Sequence, residues 1–226
     1  MMSHDTSSDP RIVVAEIALA GLAGASSALP RQHSKRLEPL VGRLRQAIPA
    51  LRYSFLPPEE AVRQGLLKPI EDVGLQLCGM WSELAGLQKP AEQLAASWVR
   101  FAGLTLRGLR RRLVEGEPRF ADAVEALWAK VTYVKSLNDR LSELEMDAAK
   151  EGKFRVVTNL PGVKRGDLRA FAVLPPRRIG GVVSQGMLVD SDVEGEPGSR
   201  ARPAGRSEGE VEAVLREEAK RLGVRI

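Results

Sequence analysis

The chain has 226 residues, 43% of them hydrophobic and 28% charged, with 34 Lys and Arg against 29 Asp and Glu for a net charge of +5. That length supports one large or two small domains with a sizeable core. One cysteine, Cys78, and two histidines, His4 and His33, exclude a zinc site built on soft ligands and a Cys-x-x-Cys redox pair, so no metal or other cofactor is expected.

Cys78 lies in an apolar run and reads as an inert buried thiol, and an unpaired cysteine fits a reducing cytoplasm. Arginine greatly outnumbers lysine, and asparagine occurs only at Asn138 and Asn159. Both features suit a heat-loving source, although GC-rich coding would give the same arginine bias.

In chain order, Ile12 to Leu29 is the one candidate targeting segment. It carries Glu16 and follows Asp5, Asp9 and a single Arg11, where a signal peptide has a basic start and an unbroken apolar run. It reads instead as a buried first helix or strand-helix element, and no membrane association is expected. Arg36 to Ile48 places Leu37, Leu40, Val41, Leu44 and Ile48 at helical steps, with Pro49 as the stop. Glu59 and Glu60 after Pro57 and Pro58 open another helix, since carboxylates favour the positive end of the dipole. Ile70 to Leu87 and Pro90 to Val114 give two more.

Arg119 to Lys150 has the longest helical pattern, with Phe120, Val124, Leu127, Val131, Val134, Asn138 and Leu141 spaced by four and three. One reading is a heptad helix that joins two copies of the chain, with Asn138 at an a position fixing register. The other is a helix packed on its own bundle, with Asn138 at the edge of the stripe.

Beyond Lys153 the texture changes to short strands, at Phe154 to Thr158, Leu168 to Leu174 and Gly181 to Leu188. Asp190 to Arg206 is rich in Gly, Pro, Ser and alternating charge and reads as a mobile loop. Ser207 and Glu210 have capping-box spacing ahead of Val211, Val214, Leu215 and Leu222, which predicts a closing amphipathic helix.

Within Leu174 to Val189, the residues Leu174, Pro175, Pro176, Arg177, Arg178, Ile179, Gly180, Gly181, Val182, Val183, Ser184, Gln185, Gly186, Met187 and Leu188 form a dense motif. With the upstream run Phe154 to Gly166, it resembles the second half of the tRNA-binding OB-fold module found at the C-terminus of methionyl-tRNA synthetases and in structure-specific tRNA-binding proteins. The resemblance covers about Lys153 to Val189. That module opens with two further strands, but the residues before Lys153 read as helix, and Arg11 to Leu19 is a candidate for one of the missing strands.

The resemblance implies a tRNA partner and, through relatives carried on helical adaptors, an aminoacyl-tRNA synthetase. Charge agrees with a phosphate-bearing ligand, because Lys153 to Gly181 holds seven cations against Asp167 alone. Lys164, Arg165, Arg169, Arg177 and Arg178 are the expected phosphate contacts. Gly180, Gly181 and Gly186 would allow close backbone approach, and Ser184, Gln185 and Met187 match the family turn. For Ser184 and Met187 the alternative is a purely structural role in the turn and the barrel. Arg107, Arg110, Arg111 and Arg112 suit either RNA contact or the negative end of a helix dipole.

Few aromatics fall in the strand region, which favours recognition of a folded RNA over stacking of single strands. Gly162 to Gly166 lacks a phosphate-loop ending, and Ser184 has no histidine near it in sequence. No enzyme constellation is expected.

The fold class expected is therefore α+β. A helical bundle (1–152) leads to a partial OB-like β domain (153–190), a flexible loop (191–206) and a C-terminal helix (207–226). The function expected is non-catalytic tRNA binding. The alternative is a helical scaffold or assembly subunit that uses 119–150 for protein contact.

Overall fold

In the computed structural model, which describes residues 5–226, six α-helices precede a five-stranded antiparallel sheet and a seventh helix follows it, an α+β fold. His4 lies outside the described residues.

Helix α1 (Pro10–Ala25) is capped by the Asp9 carboxylate, which accepts from Arg11 N–H, and starts on Pro10. By length and composition alone the segment Pro10–Ala28 is long and apolar enough to cross a membrane. Here Ile12, Val13, Val14, Ile17, Ala18 and Leu22 are fully buried, and the helix packs across α5 as a core element. Arg11 to Leu19 is thus helix, not a barrel strand. Its Arg11 is buried with Asp9 at 2.6 Å and donates to the carbonyl of Arg112.

Helix α2 (Arg31–Arg52) runs through both Pro39 and Pro49, so Pro49 is not the stop. Each proline removes its own N–H and crowds the carbonyl four residues back, yet the helix continues, and the Pro49 carbonyl accepts from Tyr53 N–H at 2.9 Å. The short α3 (Pro58–Arg63) leads into α4 (Lys68–Leu84), α5 (Pro90–Arg107) and α6 (Leu109–Glu115), the last two divided at Gly108.

The main correction concerns 119–150, which is not a helix. It contains β1 (Ala126–Ser136) and β2 (Ser142–Asp147), paired antiparallel from Lys130↔Asp147 to Ser136↔Ser142. Buried Leu127, Ala129 and Val131 alternate along β1, as do Leu144 and Met146 along β2. The four-residue step from Leu127 to Val131 is even, so it fits a strand as well as a helix. Asn138 sits in the hairpin turn, where its Oδ1 accepts from the N–H groups of Arg140 and Leu141. The heptad seam for joining two copies is therefore absent.

Strands β3 (Lys153–Thr158), β4 (Leu168–Ile179) and β5 (Val182–Leu188) complete a sheet of order β3-β2-β1-β4-β5. The register of β4 against β5 shifts between Val173 and Arg177, where Pro175 and Pro176 offer no N–H to the ladder. The sheet curls so that β5 comes beside β3 and Phe154 packs on Phe171, with ring centroids 4.8 Å apart. Such a five-stranded, partly open barrel needs both opening strands, and β1 and β2 supply them.

Residues 190–205 form an irregular loop, tied down by isolated bridges Leu127↔Arg200 and Ser191↔Pro203. Helix α7 (Arg206–Leu222) buries Val211 and Leu215. Ser207 does not cap it. The Ser207 hydroxyl instead accepts from Asp190 N–H at 2.8 Å, and Gly205 stands at the N-cap.

Candidate nucleic-acid interface

Helix α5 fixes the barrel to the bundle. Arg100 is buried between the Trp81 ring, 4.8 Å away, and the Phe154 ring, 3.3 Å away. It donates to the carbonyl of Glu151 at 2.6 Å and to that of Lys153. Burial pushes its pKa down to about 9, with Glu151 acting in the opposite sense. The arginines of 107–112 have similar internal duties. Arg107 pairs with Glu151, Arg110 with Glu71, and Arg111 and Arg112 with Glu125 at 2.7 and 2.8 Å. Arg112 is buried, and desolvation lowers it to about 10. This cluster is a structural ion-pair network, which accounts for it better than a helix dipole or RNA contact does.

The join between β3 and β5 is made by side chains. Ser184 Oγ accepts from Val157 N–H at 3.0 Å and donates to the Gly186 carbonyl, while Gln185 Oε1 accepts from Arg155 N–H at 2.9 Å. Gln185 Nε2 reaches Ser97 of α5 at 3.2 Å. Both residues are buried, at 4% and 8% exposure. Ser184 and Gln185 thus hold the seam, and for Ser184 this is the structural role that the sequence left as the alternative. Gly180 and Gly181, both at positive φ, form the two-residue turn between Ile179 and Val182 that a tight hairpin demands. Gly186 faces the Ala172 carbonyl, and a Cβ there would come within 2.3 Å of that oxygen.

A cleft of about 670 Å³ opens between the barrel and α7. Arg169 and Arg177 of β4 line it with Ser184, Gly186 and Met187 of β5, so five of the sequence-predicted residues meet there. Asn159 and Leu160, after β3, and Arg206 and Glu210 of α7 complete the rim. Sequence reasoning missed these four; for Arg206 and Glu210 no local signal marks a helix that folds back over a barrel. Lys164, Arg165, Arg178, Gly180 and Gly181 are exposed outside the cleft lining, the first two in the turn before β4 and the last three at the β4–β5 hairpin.

The electrostatics differ from the sequence tally. Strand β2 sets Glu145 against Lys153 at 2.8 Å and Glu143 against Arg155 at 3.0 Å. Asp167 pairs with Arg169, and Arg177 is held by Glu217 and the buried Glu218 of α7. Lys164, Arg165 and Arg178 have no ion-pair partner among the described residues. Lys153 holds the Glu145 carboxyl below the usual carboxylate range by hydrogen bonding, helped by Thr132. No cluster of metal-ligating side chains occurs among the described residues.

No family model matches the sequence, and no curated protein matches it. Among solved structures, the chain is similar to the chaperone CsaA of Bacillus anthracis str. Ames. The match has 17% identity, covers 34% of this chain and 89% of that one, and has a TM-score of 0.29, too low to carry an argument.

Proposed function

We propose that the protein is a non-catalytic RNA-binding protein, with tRNA as its ligand and service to an aminoacyl-tRNA synthetase as its setting. The observation that carries the reading is the cleft, which brings Arg169, Arg177 and Met187 together beside the seam of a five-stranded barrel. Barrels of this order bind oligonucleotides on one face, and arginine is suited to phosphate through its planar fork. The narrower choice of tRNA rests on the motif Leu174 to Leu188. The unpaired cations Lys164, Arg165 and Arg178 flank the cleft and track the backbone, while Arg177 is positioned by α7.

The test is a variant carrying Lys164→Gln, Arg165→Gln and Arg178→Gln. Three lost phosphate contacts flatten the log-log dependence of tRNA affinity on salt by about 2. An unchanged slope in a variant with wild-type thermal unfolding would remove the barrel from the RNA interface.

A further inference from the structure

Among the helices of the described residues, α2 carries the largest positive excess. Its 22 residues hold six cations, Arg31, Lys35, Arg36, Arg43, Arg45 and Arg52, against Glu38 alone, a net of +5. The rest of the chain holds 28 cations and 28 carboxylates. Helix α2 therefore accounts for the whole net charge.

Placement reinforces the count. Leu37, Leu40, Val41, Leu44, Ile48 and Leu51 form the buried stripe, and Arg31, Lys35, Arg36, Arg43 and Arg45 all fall on the opposite, exposed arc. Arg36 is paired with Glu83. Arg31, Lys35, Arg43 and Arg45 have no ion-pair or hydrogen-bond partner among the described residues. From Arg31 to Arg45 the helix rises about 21 Å, a span able to follow several successive phosphates.

The helix ends in an exposed aromatic pair. Tyr53 and Phe55 are 59% and 62% exposed, with ring centroids 6.4 Å apart. Phe55 holds φ at 54°, an uncommon conformation for a residue other than glycine and one often met at functional sites. A membrane-surface helix would need its apolar face free to insert, and the apolar face of α2 is buried in the bundle core. What remains outside is charge followed by two rings, the combination that binds a phosphate backbone with unpaired bases at its end.

We infer that the outer face of α2, with Tyr53 and Phe55, is a second RNA-contact surface, separate from the barrel cleft: the phosphates lie along Arg31, Lys35, Arg43 and Arg45, and unpaired bases stack on the ring pair. The inference takes its ligand class from the function proposed above.

The test compares two quadruple variants of equal charge in RNA titrations over a range of salt. One is Arg31→Gln, Lys35→Gln, Arg43→Gln and Arg45→Gln. The control is Arg63→Gln, Lys68→Gln, Lys89→Gln and Arg216→Gln, which removes exposed cations already paired with carboxylates. The α2 variant is expected to lose about 3 from the salt slope and at least about tenfold in affinity at 0.1 M salt, with the control close to wild type. Tyr53→Ser with Phe55→Gly, which keeps a backbone suited to positive φ, is expected to erase any preference for RNA with an unpaired 3′ extension over a blunt duplex.

Equal behaviour of the two quadruple variants would overturn the inference while leaving the barrel reading intact. So would loss of phosphatidylserine-vesicle binding by the α2 variant with its RNA affinity unchanged. Failure of the wild-type protein to bind RNA would overturn both.

Discussion

Residues 31–52 and 153–181 have nearly equal positive excess, +5 and +6, yet the fold makes different surfaces of them. Around α2 the nearby carboxylates are few, and only Arg36 and Arg52 find partners. On the barrel, Glu143 and Glu145 of β2, Asp167 of the preceding turn and two glutamates of α7 answer four of the seven cations. Charge counted along a sequence becomes surface potential only after the neighbouring strands are placed. A helix shows its whole outer face to solvent, whereas a strand sets every residue against a partner.

The most severe way to break this contrast is to open the barrel. Gly186→Ala would force a Cβ against the Ala172 carbonyl and is expected to cost about 3 kcal/mol or more, as overpacking at an unyielding backbone does. Chemical denaturation of the variant reads that loss directly. Ser184→Ala should cost less, about 1–3 kcal/mol, because it leaves the buried Val157 N–H without its acceptor.

Sharpening the contrast is gentler. Glu143→Gln with Glu145→Gln releases Lys153 and Arg155, so RNA titrations should show a salt slope steeper by about 1.5, with a loss of stability of about 1 kcal/mol because both cations are exposed and the amides keep the shape of the half-covered carboxylates. Affinity that stays at the wild-type level would show that β3 faces away from the RNA.

The smallest effect is in acid. Glu145 has a folded pKa below its ordinary 4.5, chiefly through Lys153. Its contribution is fully present above that ordinary value and disappears as pH falls through the lower folded value. The difference in denaturation midpoint between wild type and Glu145→Gln should therefore be constant at neutral pH and shrink in acid.

Much of this architecture is legible in the residues themselves. Leucine and isoleucine spacing placed α4 and the buried stripe of α2, and β-branched runs between glycines and prolines placed strands at 154–158, 168–174 and 181–188, although β4 runs on through Pro175 and Pro176 to Ile179. The opening strands were hidden because the apolar residues from Phe120 to Leu141 happen to recur at four- and three-residue steps, which masked the aromatic and β-branched residues Trp128, Val131, Thr132, Tyr133 and Val134 of β1. The signal that would have exposed them is the strict alternation Glu143-Leu144-Glu145-Met146 after an asparagine turn.

Of the site, the Leu174 to Leu188 motif did mark residues that gather at the cleft. Its serine and glutamine proved to be the seam, a role that depends on β3 lying opposite and cannot be seen within the motif. The α7 side of the cleft depends on a chain reversal through residues 190–205, and the basic face of α2 is cancelled by carboxylates elsewhere in the chain when charge is counted over long stretches.

The most direct test of the central claim is a titration of the purified protein with bulk tRNA at several salt concentrations, with duplex DNA as competitor. The account predicts salt-sensitive binding that prefers tRNA, with a log-log slope of about −3 or steeper. No binding at low salt, or equal competition by duplex DNA, would contradict it.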